Sequence, residues 1–158
     1  MDECKLDRLL LFDGLTPEQI EKISPCCQER RLSRGERIFA HGDKADHLFV
    51  VLDGQVDLRL VLPAQEEDEG ETITSVRENQ VLGWSALTHS PVYTLSAYCA
   101  SDTCRILEVD RARLFAILSH DHHMGFVIMS NVAEVIRTRF AQLQEEMARR
   151  KEADGTKR

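Results

Sequence analysis

The chain has 158 residues and a formal net charge of -7 at neutral pH. That length holds one domain with its own core rather than two joined by a linker, and the acidic balance argues against a general affinity for the phosphate backbone of nucleic acids, which rests on basic side chains. The longest apolar runs, such as Leu48 to Leu52, are far too short to span a bilayer, so no membrane segment is expected.

The start, "MDECKLDRLLLFDG", is acidic, and Asp7 and Arg8 interrupt its apolar stretch. A secretory signal wants a basic start and an unbroken apolar run, so the expected location is the cytoplasm. The next segment, "GLTPEQIEKISPCC", offers Thr16 as a helix N-cap, Pro17 at the first helical position and Gln19 at the third, with Ile20 and Ile23 on one face. This is the pattern of a short capped amphipathic helix. The five cysteines, Cys4, Cys26, Cys27, Cys99 and Cys104, are odd in number and lack CxxC spacing, so reduced thiols are expected rather than a disulfide framework or a zinc site.

From about residue 30 to 109 the pattern changes to short apolar runs separated by glycine and Asp/Asn turns. In "QVDLRLVL", Val56, Leu58, Leu60 and Leu62 alternate with Asp57 and Arg59, the period of a half-buried strand. Several such strands predict an antiparallel sandwich or barrel. "PAQEEDEGE", between Leu62 and Thr72, reads as a solvated acidic loop joining two of them. A short helix is predicted in "DRARLFAILSHD", and a long one follows, in which Met129, Val132, Ile136, Phe140, Leu143 and Met147 recur at steps of three and four. A helix of this length cannot bury its whole stripe on a small barrel. A second copy of the chain is the expected cover, with a spacing nearer to a straight helix than to a strict heptad.

Before the last two strands lies "VLGWSALTHSPVYTLSA": a glycine turn followed by small and hydroxyl residues, suited to holding an anion on backbone N–H groups but without a charged partner for it. Together with "LFDGLTPEQIEKI" and "GERIFAHGDKADHLFVVLDGQVDL", whose Gly35, Gly42 and Gly54 stand at turn positions, this order of elements resembles the cyclic-nucleotide-binding domain of catabolite-activator-type regulators, protein kinase A regulatory subunits and cyclic-nucleotide-gated channels. The resemblance runs from Leu11 to about Gln144. Asp43 and Asp46 of "GDKAD" read as turn-forming residues.

The resemblance implies a mainly β fold with flanking helices: an antiparallel, jelly-roll-like double-stranded β-helix barrel followed by a long C-terminal dimerisation helix. Its parts would be an N-terminal segment and helix over 1–28, the barrel over 29–120 with a phosphate-binding-cassette-like insert at 82–97, the long helix over 121–150 and a tail over 151–158. It implies ligand contacts from Gly83, Trp84, Ser85, Ala86, Leu87, Ser90, Val92 and Thr94. Two departures bear on the ligand. Trp84 stands where the family has a glutamate for the ribose hydroxyl, and Pro91 or Val92 where it has the arginine that pairs with the phosphate. Loss of that charged pair costs on the order of 2 to 5 kcal/mol, or roughly thirtyfold to several thousandfold in affinity.

The expected ligand is therefore a cyclic nucleotide (cAMP or cGMP) held weakly, or another small anionic molecule. Trp84 either stacks on a planar ligand or fills the pocket as a plug. The resemblance also implies no direct DNA contact, because "RRKEADGTKR" cannot form a recognition helix, so output would pass through the homodimer or a protein partner. His120, His122 and His123 cluster near the last helix junction without a ligand pair at helical i, i+4 spacing, and no metal is expected there. No nucleophile elbow or phosphate loop occurs, since "GWSAL" lacks the second glycine, and no enzyme activity is expected.

Overall fold

The computed structural model describes residues 5–66 and 70–155. After two 3-10 turns, Leu6–Arg8 and Leu10–Phe12, come α1 (Pro17–Ile23) and strands β1 (Cys27–Ser33), β2 (Arg37–Phe39), β3 (His47–Asp53), β4 (Val56–Leu60), β5 (Glu71–Val76) and β6 (Val81–Leu82). A 3-10 helix at Trp84–Leu87 precedes β7 (Ser96–Cys99) and β8 (Thr103–Asp110), and α2 (Arg111–Leu118) and α3 (His122–Gly155) complete the chain. The strands form two antiparallel four-stranded sheets, β1-β8-β3-β6 and β2-β7-β4-β5.

The burial pattern explains why β3 is an unbroken apolar run while β4 alternates. Phe49 and Val51 of β3 face the second sheet, where they meet Phe39, Val56, Leu58 and Ala97. Leu48, Val50 and Leu52, on the opposite face, pack under the helices with Leu11, Phe12, Leu114, Met124 and Ile128. A strand covered on both faces has no use for a polar alternate position. On β4, Val56 and Leu58 enter the core between the sheets. The alternation extrapolated to Leu62 stops earlier: the register shifts between Leu58 and Arg59, the strand ends at Leu60, and Leu60 and Leu62 are exposed.

Local signals at the helix ends and turns are realised as expected. Thr16 accepts from the Gln19 N–H at 3.2 Å and the Gln19 side chain accepts from the Thr16 N–H at 3.0 Å, closing a capping box. Gly54, with φ of 93°, turns β3 into β4; a Cβ there would stand 2.6 Å from both Ser101 Oγ and the Thr103 carbonyl oxygen, so the site excludes any side chain. The Asp43 carboxylate accepts from the Ala40 N–H at 3.2 Å, the turn role expected of it.

Two boundaries differ from the sequence reading. The first strand opens at Cys27, α3 is helical through Gly155 rather than stopping at 150, and the expected tail is therefore helical over 151–155. The i,i+4 pairs Glu145–Arg149 at 3.8 Å and Glu146–Arg150 at 2.9 Å support the helix just before these last residues. Residues 156–158 of the tail, Cys4 and residues 67–69 of the acidic loop lie outside the described residues. Asp121 caps α3 by accepting from the Met124 N–H at 3.0 Å. Among the described residues no helix is long and apolar enough to cross a membrane.

Candidate functional site

The insert between β6 and β7 begins at Gly83, whose φ of 75° lies in the left-handed region and where a Cβ would approach Phe49 to 3.0 Å and Tyr93 to 3.3 Å. Glycine is therefore required both for the turn and for the close approach. The chain then makes one 3-10 turn, with the Ala86 N–H donating to the Gly83 carbonyl at 3.1 Å and the Thr88 N–H to the Ser85 carbonyl at 3.1 Å. Arg111 donates from Nε to the Ala86 carbonyl at 2.6 Å, tying the insert to the start of α2. Tyr93 anchors its other end. Its ring stacks on Phe39 at 3.9 Å between centroids, its hydroxyl donates to the His47 carbonyl at 2.7 Å, and burial pushes that hydroxyl's pKa up to about 12.

A cavity of about 210 Å³ opens beside this insert. Gly83, Trp84, Ser85 and Thr94 line it from the insert, Ile73 and Thr74 from β5, and Ile136, Arg139, Phe140 and Leu143 from α3. Four of the eight expected contact residues are thus brought together, and four are not. Ala86 is fully buried in the core between the sheets, and Leu87 packs toward the core under the helices. A 3-10 helix turns about 120° per residue, so consecutive side chains of one turn point to different sides and cannot all face one cavity. Ser90 and Val92 are exposed. The Val92 N–H is taken by the Ser90 carbonyl at 2.8 Å, and Val92 bridges to the backbone of Lys44, which holds this segment outside the cavity. A roomier groove of about 530 Å³, at the ends of β1, β3 and β8, shares no residue with the insert.

The expected dimer stripe also divides. Val132 is only 5% exposed and belongs to the chain's own core, so it is withdrawn from the surface. Met129, Ile136, Phe140, Leu143 and Met147 are exposed, and Ile136, Phe140 and Leu143 double as one rim of the cavity.

The cavity residue that the sequence reading missed is Arg139. Its guanidinium lies 4.6 Å over the Trp84 ring, Nη2 donates to the Val81 carbonyl, and Nη1 is buried with no hydrogen-bond partner. Burial pulls its pKa down to about 10, which leaves it cationic at neutral pH. It stands outside the insert, on a helix some 55 positions later in the chain. The available signal was periodicity: Arg139 stands three residues after Ile136 and four before Leu143, a basic residue placed at the steps of an apolar face.

Elsewhere the geometry is quieter. Gln19 Nε2 lies 3.3 Å from both Asp121 Oδ2 and His123 Nδ1, so these two residues of the histidine-rich junction tie α1 to α3. Among the described residues no three His, Cys, Asp or Glu side chains group as a metal site would need. Cys26, Cys99 and Cys104 are buried, reduced thiols.

This architecture has close counterparts. A structure from Geobacter metallireducens GS-15, of a candidate cyclic nucleotide-binding protein, is 30% identical and superposes with a TM-score of 0.72 over 82% of this chain and 91% of that one. A cyclic nucleotide-binding domain from Methylobacillus flagellatus KT superposes with a TM-score of 0.75 over 88% of this chain and 76% of that one, at 17% identity, a likeness of fold. The cGMP-dependent protein kinase egl-4 of Caenorhabditis briggsae is 26% identical over 106 residues, which are 67% of this chain but 14% of the kinase. The sequence profile described as "Cyclic nucleotide-binding domain" matches residues 29–121, a span that takes in both sheets, the glycine-led insert and α2. With more than half of its residues in that match, the chain belongs to the cyclic nucleotide-binding domain family.

Proposed function

We propose that the chain is a non-catalytic cytoplasmic sensor that takes a small anionic ligand, a cyclic nucleotide such as cAMP or cGMP held weakly or a retuned relative of it, in the cavity between the insert and α3. The observation that carries this reading is the cavity's position. One wall is the element that binds ligand throughout the resemblance, and the other is the helix with the exposed apolar stripe. An occupant touching both favours one setting of α3 over another by its differential contacts with the two.

The output helix is suited to pair with a second copy of itself. With Val132 assigned to the core, the outward apolar positions are Phe126, Met129, Ala133, Ile136, Phe140, Leu143 and Met147. Their steps alternate strictly between three and four, which is a heptad seam rather than the straight-helix stripe expected from sequence. A two-fold axis brings this seam against its own copy, burying on both sides side chains that are otherwise wet. Output then passes through the dimer geometry to a protein partner.

A second reading rests on the guanidinium seated over Trp84: the pair closes the inner wall, and the dimer works as an interaction module without ligand. Isothermal titration with cAMP and cGMP, with emission of the sole tryptophan recorded in parallel, separates the two. The sensor predicts micromolar binding with a change in Trp84 emission. Silence with both nucleotides removes the reading of cAMP or cGMP as ligand and leaves a retuned ligand or the ligand-free module.

A further inference from the structure

We infer that Arg139 of α3 is the anion-binding residue of this cavity, replacing from the helix the positive charge that the insert lacks. This rests on the reading that the cavity takes a small anionic ligand, and adds which residue meets the anion and on which element. The insert has no Arg or Lys between Trp84 and Ala97. Arg139 contributes to the cavity lining, and it is held there from two sides, by the Trp84 ring under the guanidinium plane and by the Val81 carbonyl on Nη2.

The group left over is Nη1, buried and without a partner. A buried N–H with no acceptor is a standing cost to the folded chain, and a charged one more so. No carboxylate among the described residues pairs with this guanidinium, and burial alone accounts for its altered basicity. An anion at Nη1 removes that cost and gains a charge-assisted hydrogen bond. Of the hydroxyl residues that line the same cavity, Thr74, Ser85 and Thr94 suit the remaining anion oxygens, while the Tyr93 hydroxyl is taken by the His47 carbonyl and Ile73, Leu95 and Phe140 are apolar. The fitting ligand is therefore a compact organic monoanion whose uncharged part is flat or apolar.

The placement also has a mechanical consequence. A charge held by the insert itself would fix the ligand to the barrel and leave α3 to respond indirectly. With Arg139 as the contact, the anion pulls on the helix directly, between seam positions Ile136 and Leu143.

The test uses the full chain, with cAMP as the anionic probe and adenosine as its uncharged counterpart. Arg139→Gln should weaken cAMP binding by about thirtyfold or more while adenosine affinity stays the same. In the absence of ligand, the melting temperature of Arg139→Gln should equal or exceed that of the wild type, because a buried unpaired charge has been removed. Equal cAMP affinity in wild type and Arg139→Gln overturns the inference but leaves the sensor reading standing. A parallel loss of adenosine affinity or of ligand-free stability marks Arg139 as a structural prop, and also overturns it. A wild type that binds neither cAMP nor cGMP overturns the reading of the cavity as a site for cAMP or cGMP, and this inference with it. If Arg139→Gln does not fold, Arg139→Lys takes its place: one ammonium cannot hold the Val81 carbonyl and the anion as a guanidinium fork does, so about tenfold weaker cAMP binding is expected, and unchanged affinity overturns the assignment.

Discussion

The two long faces of α3 are both apolar and differ in what covers them. On the inner face Met124 and Ile128 are fully buried and Val132 nearly so, packed on the N-terminal turns and β3. On the outer face Phe126 is 73% exposed, and Phe140 and Met147 are 61% exposed. The inner face is tied down by more than packing, since Asn131 Nδ2 donates to the Leu11 and Asp13 carbonyls at 2.9 Å each. Helical periodicity thus shows where a helix is apolar, whereas the order of the rest of the chain decides which face the monomer covers. The largest effect follows from this. Ile128→Ala should cost about 2–5 kcal/mol of stability, against no more than about 0.5 kcal/mol for exposed Phe126→Ala in a chain kept monomeric by dilution. Urea unfolding of both variants checks it; equal costs would erase the distinction between the faces.

The outer face is probed by charge. Glutamates at Ile136 and Phe140 remain solvated in a single chain but would be buried without a partner in a paired seam. The double variant Ile136→Glu, Phe140→Glu should halve the mass seen by light scattering at micromolar concentration and leave the far-UV circular dichroism unchanged. A wild type already monomeric under these conditions sinks the paired seam. So does a double variant that keeps the mass of a dimeric wild type.

How much of this was legible beforehand depended on how local each feature's cause is. The Thr16 capping box, the turn at Gly54 and the alternation of Val56 and Leu58 are decided within a few residues, and the sequence carried them. The insert was legible as an element but not side chain by side chain. That Ala86 turns into the core while Ser85 lines the cavity depends on the turn being 3-10, which composition does not specify. Arg139 was out of reach for a different reason. It reaches the cavity only because α3 folds back beside Trp84, a contact between segments far apart in the chain.

The division of the stripe was lost through an ambiguity inherent in helical spacing, and the smallest predicted effect resolves it. From Met129 to Ile136 the chain can be read through Val132, by steps of three then four, or through Ala133, by steps of four then three. Both obey the helical rule, and valine is the more apolar choice. In the structure Val132 is buried in the monomer and Ala133 is exposed in the outer seam. The two neighbours should therefore respond in opposite ways. Val132→Ala removes buried methyl groups, so it should lower unfolding stability by about 1–2 kcal/mol without altering association. Ala133→Leu adds a seam side chain; it should change the stability of the single chain by no more than about 0.5 kcal/mol while shifting the dimer dissociation constant downward in sedimentation equilibrium. Leucine at 133 that weakens association would mean the helices approach closely at a small residue there, and the seam would have to be redrawn around Ala133 as a contact point instead of a gap.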